Sequence, residues 1–404
     1  MKTFAQFISE ATGVASAKHQ EHPEDNAIKS KVGFAHAVSA LRDIHHGLKT
    51  GSTGDDTHIS TKLDGAPAIV FGHHPETGKF FVATKHAAFG KTPKHATTHA
   101  EIDQHYGHSE GLAKKMHHAL EHLPKVTPKK GIFQGDYMHD THDLNHTDDE
   151  VNFTPNTIKY HISKDTPEGK KAAASKIGIA VHTRIEGDPD RPETLHAHPL
   201  TDHSVFKKHP DVHLISPEAK FAGKSMSHLT PQEDKAVETH LAKAQDIHNK
   251  LPEGHHDIIG KHDEHLSTYI NKTVRTGEKP STAGLRAHIE QRMGNEVDKV
   301  KTDKAKAIKT ANMNAALAHH DTHESHFAKA LQIHHHVQAA KDILTRGLHK
   351  AQETSNPMQQ SIEGKKTDPE GYVVQHKGEI IKMVNRKEFS QANFNKPKTW
   401  IKTP

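Results

Sequence analysis

The chain of 404 residues predicts an α+β fold whose strand-rich domain is interrupted by a long, mostly α-helical insertion. Three observations carry this. Short apolar runs bounded by Gly and Pro recur between residues 51 and 186. Between 231 and 350 the texture changes to polar stretches rich in Ala, Lys, Glu, Asp and His with thin apolar stripes of helical period. Strand texture then returns after residue 370. The expected organisation is an N-terminal helical segment (1–50), a first part of the strand domain (51–186), the helical insertion (187–366), a second part of the strand domain (367–395) and a tail (396–404).

In chain order, residues 26–48 place Phe34, Val38, Leu41 and Ile44 on one helical stripe that stops near Gly51. Residues 68–71 and 80–83 are apolar runs around His74-Pro75-Glu76-Thr77-Gly78, which predicts a hairpin. A helix follows over 112–123, then strands over 131–137, 157–162 and 176–183. Past a Pro- and His-rich passage, helices are expected over 231–251, 256–274 and 282–350, with a break at Gly277-Glu278-Lys279-Pro280. Ile333, Val337, Ala340 and Ile343 mark the stripe of the last, and Asn356-Pro357 ends the block. Residues 371–374 and 379–384 are the final strands.

Composition narrows the setting. Hydrophobic residues are 32% and mean hydropathy is −0.80, so much of the chain is polar helix surface or loop. A net charge of +4 permits a polyanionic partner without identifying one. With 0 Cys there is neither disulfide nor thiolate metal site, which fits a reducing compartment. The opening Met1-Lys2-Thr3-Phe4-Ala5-Gln6-Phe7 lacks an uninterrupted apolar core, and no apolar run is long enough to span a bilayer. A soluble cytoplasmic protein with no membrane partner and no stable protein partner is expected. The 43 His, spread over loops and helices alike, read as compositional bias on solvated faces rather than a metal site. They predict a gain of positive charge between pH 7 and pH 6 that would tighten binding to polyanions.

The chemistry concentrates in Thr61-Lys62-Leu63-Asp64-Gly65-Ala66-Pro67-Ala68-Ile69-Val70-Phe71. A lysine amine beside a carboxylate suits covalent nucleotidyl transfer, in which the amine attacks the α-phosphate of a nucleoside triphosphate. Gly65 would let the backbone approach the nucleotide closely. Alone, the element also describes a turn leading into a strand.

Further elements follow in order: Thr84-Lys85, Phe133-Gln134-Gly135-Asp136-Tyr137, residues 177–183, Glu370-Gly371-Tyr372-Val373-Val374 and Ile381-Lys382-Met383-Val384-Asn385. This set resembles the covalent nucleotidyltransferase superfamily of polynucleotide ligases and capping enzymes. Lys62 to Gly65 matches the first motif, residues 133–137 the third, Glu370 to Val374 the fourth and Ile381 to Asn385 the fifth. The resemblance covers 60–90, 131–183 and 368–389 and leaves the helical block unexplained. It implies a nucleotidyltransferase fold with ATP-grasp-like antiparallel sheets and helices. It implies catalytic roles for Lys62 and Lys382, and nucleotide contacts from Thr61, Lys62, Asp64, Gly65, Lys85, Asp136, Glu370 and Lys382. Asp136 and Glu370 would place Mg2+ or Mn2+. Lys382 would hold the α-phosphate and lower the charge on the Lys62 amine.

Two departures stand out. Asp136 occupies a position where the superfamily usually has Glu, one methylene longer. Val384 stands where a second lysine is common, and Arg386 or Lys377 could substitute.

About twenty residues follow Lys382, too few for the β-barrel that DNA ligases and capping enzymes carry there. Glu370-Gly371-Tyr372-Val373 is also closer to the fourth motif of RNA ligases. The implied protein is an ATP-dependent RNA ligase that adenylates Lys62, moves AMP to a 5′-phosphate and seals it to a 3′-hydroxyl. The helical insertion would contact the RNA or DNA ends. The opening segment through Ile8 resembles proteins of large tailed phages, which would place the enzyme in host cytoplasm. A nick-sealing DNA ligase, a GTP-using guanylyltransferase and a structural protein with a vestigial nucleotide fold remain open alternatives.

Overall fold

Capping and turn chemistry set most element boundaries in the computed structural model, which describes residues 21–51, 53, 56–219, 228–352, 358–362, 364–384 and 386. The expectations for residues 1–20, 396–404, Asn356-Pro357 and Asn385 lie outside these described residues. Helix α1 is Pro23–Lys29 and α2 is Lys31–Thr50. Ser30 caps α2 by accepting from the Gly33 N–H, and Gly51 at φ +79° closes it in the left-handed conformation that glycine adopts freely. Then come β1 (Thr57–Thr61), β2 (Ala68–His73), β3 (Phe80–Thr84), α3 (Lys85–Ala88), α4 (His99–Tyr106) and α5 (Glu110–His122). They are followed by β4 (Ile132–Asp140), β5 (Asn145–His146), β6 (Glu150–Phe153), β7 (Lys159–Ser163), α6 (Pro167–Ala174), β8 (Ile177–Glu186), β9 (His196–Pro199) and β10 (Val212–Ile215). The helical block contains α7 (Pro231–Asn249), α8 (His255–Gly260), α9 (Asp263–Thr276), α10 (Thr282–Asp298), α11 (Asp303–Thr322) and α12 (Glu324–Gln352). Strands β11 (Met358–Ile362), β12 (Lys365–Thr367), β13 (Gly371–His376) and β14 (Glu379–Val384) complete the described chain.

The fold is α+β with mainly antiparallel sheets, and it divides into two units. Among the described residues the strand unit holds 59–219, 358–362 and 364–370; the helical unit holds 21–51, 53, 56–58, 228–352, 371–384 and 386. These limits differ from the expected ones. Residues 187–219 belong to the strand unit because β9 pairs with β8 antiparallel and β10 pairs with β8 in parallel. Strands β11 and β12 also belong there, β11 being paired with β7. Residues 21–50 and the β13–β14 hairpin instead group with the helices. Short edge strands in a Pro- and His-rich passage lack the alternation that composition reading needs, so their pairing partners alone reveal them.

In the strand unit one sheet runs β10-β8-β4-β2-β3 and a second runs β12-β11-β7-β6-β5. Alternation along β2 and β3 serves two cores. Ile69, Phe71 and Val82 pack with Ile102, Met116, Phe133 and Tyr137, while Val70, Phe81 and Ala83 pack with Ile132, Ile185 and Leu195. Each such large side chain contributes about 1.5–3 kcal/mol on burial.

In the helical unit the expected helix over 256–274 is two, α8 and α9, and the expected block over 282–350 is three. Thr302 caps α11 by accepting from the Ala305 N–H, which interrupts the apparent continuity. Helix α12 buries Phe327, Ile333, Val337, Ala340, Leu344 and Leu348. It also buries Lys341, whose ammonium lies 2.6 Å from Glu24, both at 0% exposure. Arg386 joins them, donating to Asp25 at 3.0 Å and to Asn271 at 2.8 Å. Burial raises Glu24, but Lys341, His22 and Arg386 together hold its carboxyl below the usual range.

The histidines depart from the expected solvated faces. His139 and His213 are fully buried and linked at 2.9 Å, and His213 reaches Glu168 at 2.7 Å. Across the helices His240 meets His336 at 2.9 Å, His255 meets His326 at 3.1 Å and His262 meets His319 at 3.1 Å. Burial and neighbouring imidazoles push His255, His262 and His336 down to about 4. The expected charge gain between pH 7 and pH 6 therefore excludes these groups, because desolvation opposes the imidazolium.

Candidate functional site

Lys62 and Asp64 lie in the open segment between β1 and β2, and the strand unit fixes that segment from both sides. The Thr61 N–H donates to the Pro217 carbonyl at 2.7 Å, the Ala66 N–H to Tyr137 at 3.0 Å, and the Tyr137 N–H to Pro67 at 3.0 Å. Gly65 is held to β4 so closely that a Cβ there would stand 2.7 Å from the Asp136 Cβ and 2.9 Å from the Tyr137 carbonyl oxygen. Strand β4 by itself therefore requires a glycine at this position.

Four charged groups gather at this segment. The Lys62 ammonium donates to Glu370 at 2.5 Å, with side chains 26% and 11% exposed. The Asn156 amide donates to both oxygens of Asp64 at 3.1 Å, and the Asp64 N–H donates to the Tyr160 hydroxyl oxygen at 2.7 Å. Asp136 points from β4 between register shifts at Gln134/Gly135 and Tyr137/His139. Such irregularities re-aim side chains beside sites. His182 approaches the Asp136 carboxylate at 3.5 Å. Burial pushes the Tyr160 phenol well above its ordinary value, and the charges of Asp64, Glu370 and Asp136 push it further in the same direction. The charges of Asp64, Glu370 and Asp136 thus all act on the buried Tyr160 ring.

The remaining sequence-derived residues are placed as follows. Thr61 is buried at the end of β1, and Lys85 is exposed at the start of α3, with no ion pair among the described residues. Lys382 lies on β14 of the helical unit, opposite Val373, with its N–H donating to Glu21. Arg386 is committed to Asp25 and Asn271, and the Lys377 ammonium approaches Ser39 at 3.5 Å. Arg386 is thus part of the buried charge network of the helical unit, not a spare cation for the missing second lysine.

Tyr160, Asn156, His182 and Lys115 were not anticipated. Lys115 lies 4.9 Å from the centre of the Tyr137 ring and 3.4 Å from the Ala66 carbonyl. Tyr160 offered a faint signal, a strand-embedded aromatic with a polar tip that needs a partner when buried. The others offered none.

Asp64, Asp136 and Glu370 are hard-oxygen donors, but their oxygens do not converge as a metal-binding group among the described residues, and Glu370 is engaged by Lys62 and Asp64 by Asn156. Two other clusters combine His with carboxylates. His74, Asp188 and Asp190 lie together, but the Glu76 and Thr77 N–H groups donate to the His74 Nδ1, which leaves the proton on the nitrogen facing Asp190 at 3.0 Å. His45, Asp234 and Glu238 lie together with the Lys49 ammonium 3.1 Å from Asp234. Both are complete as hydrogen-bond and ion-pair networks.

Among the described residues no helix is long and apolar enough to cross a membrane. No curated protein and no solved structure matches the chain. A family match spans residues 17–398, so the chain belongs to the family of unknown function DUF6267.

Proposed function

We propose that the chain is an ATP-dependent polynucleotide ligase acting on RNA ends through a covalent lysyl-AMP. The strand unit is read as a nucleotidyltransferase fold. The observation that carries this is the pairing of Lys62 with Glu370, which are 308 positions apart. The resemblance assigns them to the first and fourth motifs, and the charges of Asp64, Glu370 and Asp136 all act on the Tyr160 ring.

In the proposed step the neutral Lys62 amine attacks the α-phosphorus of ATP. A P–N bond forms, the bond to the β-phosphate oxygen breaks, and pyrophosphate leaves with its electron pair. Asp136 and Glu370 would hold a divalent cation, which when bound supplies positive charge for the triphosphate. Before attack, Lys62 must give up its proton and its ion pair with Glu370. AMP then passes to a 5′-phosphate, and a 3′-hydroxyl displaces it.

Incubation with α-labelled ATP or GTP and Mg2+ or Mn2+, followed by denaturing electrophoresis, tests the reading. ATP should label the wild-type chain with an acid-labile, alkali-stable adduct. Asp136→Ala and Glu370→Ala should each lower labelling by about 10²-fold, the size of losing one preorganised charge. Near wild-type labelling in both would refute the roles assigned to them, and labelling by GTP alone would replace the ligase with a guanylyltransferase.

A further inference from the structure

We infer that the outer half of the α10–α11 hairpin is a docking surface for the phosphodiester backbone of a nucleic-acid strand. The choice of nucleic acid rests on the proposed function; the surface itself is read from the helical unit. In α10 the buried residues are Leu285 and Ile289, and in α11 they are Leu317 and His320. Residues 290–316 contain no buried residue, and Ile308 is 54% exposed. A helix polar on all sides gains little from a core and is held by side-chain pairs or by a partner. Here Glu296 bridges the two helices, receiving Lys299 at 2.8 Å and Lys309 at 2.9 Å, and these lysines pull its carboxyl down to about 2.

The tip carries an excess of cations. Between residues 296 and 309 five lysines stand against Glu296, Asp298 and Asp303, and Glu296 takes Lys299 and Lys309. Lys301, Lys304 and Lys306 are exposed and make no ion pair among the described residues. A protein partner would need aromatic or Arg anchors near the centre of the patch. Residues 290–316 contain no Phe, Tyr or Trp, and Arg292 is taken by Glu264. Bases would likewise find no ring to stack on. What remains is neutralisation of phosphates, which requires lysines alone and reads no sequence.

The test uses the full chain and the variant Lys301→Gln/Lys304→Gln/Lys306→Gln, with helicity checked by circular dichroism. A fluorescein-labelled single-stranded RNA is titrated by anisotropy between about 50 and about 300 mM KCl. Wild type should bind with an affinity that falls with salt. The variant should bind at least about tenfold more weakly at the lowest salt, with a log–log slope shallower by about 2, since each released phosphate contact contributes about 0.7 on a single strand. Unchanged affinity and slope overturn the inference. So does loss of binding to phosphatidylserine vesicles with RNA binding intact, which would make the surface a membrane contact. Lys62 labelling is read separately on wild type: its absence with RNA binding through the tip overturns the ligase reading alone.

Discussion

The two units handle charge in opposite ways. The strand unit keeps Lys62, Asp64, Asp136 and Glu370 partly exposed, each held by one or two neighbours such as Asn156 and His182. The helical unit places Lys341 and Glu24 at full burial and surrounds them with Asp25, His334 and Arg386. A partly exposed ion pair is worth little and is easily exchanged for another ligand. A buried one is costly to break because the remaining charge has no water. The contrast suggests that the first set is available for chemistry and the second specifies how the helices assemble.

The largest effect should come from breaking the buried set. Lys341→Met leaves the Glu24 carboxylate without its nearest cation and should cost about 3–5 kcal/mol in urea unfolding followed by helical circular dichroism. Lys62→Met, which breaks a pair only partly withdrawn from water, should cost clearly less than Lys341→Met. Equal costs would remove the distinction between the units.

Acid should discriminate next. His255, His262 and His336 stay neutral in the folded helical unit down to about pH 4. Once unfolded they bind protons near pH 6.5. The unfolded chain therefore takes up more protons, and stability falls as pH drops from 6.5 toward 4. The thermal midpoint of the helical signal should fall by roughly 5 °C or more between pH 7 and pH 5. A midpoint that holds or rises would contradict the neutral imidazole pairs.

Gly65→Ala sharpens the account of the strand unit. The added methyl meets β4 backbone and the Asp136 Cβ, an overpacking cost of about 1–3 kcal/mol. Tyr160→Phe should cost less, about 1 kcal/mol, by removing the acceptor of the Asp64 N–H. Both are read by denaturant unfolding.

What was legible in the sequence follows from what is local. The β2–β3 hairpin was announced by Pro75 and Gly78 between two apolar runs, and the end of α2 by Gly51. Glu370 was reached through its motif, since no periodicity links it to Lys62. Long-range complements stayed hidden. Lys341 looks like one more polar residue on a helix, and its partner Glu24 lies 317 positions away. Period-two alternation locates Tyr160 inside without saying that the charges of three carboxylates act on it. Hydrogen bonds between imidazoles on neighbouring helices, such as His255 with His326, turn apparently solvated histidines into interior ones.

Lys62 is proposed as the nucleophile, and one gel tests it. Wild type and Lys62→Ala, matched for helicity and unfolding midpoint, are incubated with α-labelled ATP and a divalent cation and then denatured. Wild type should give a labelled band and Lys62→Ala none. A band of equal strength in both, or none in either across Mg2+ and Mn2+, would contradict that role.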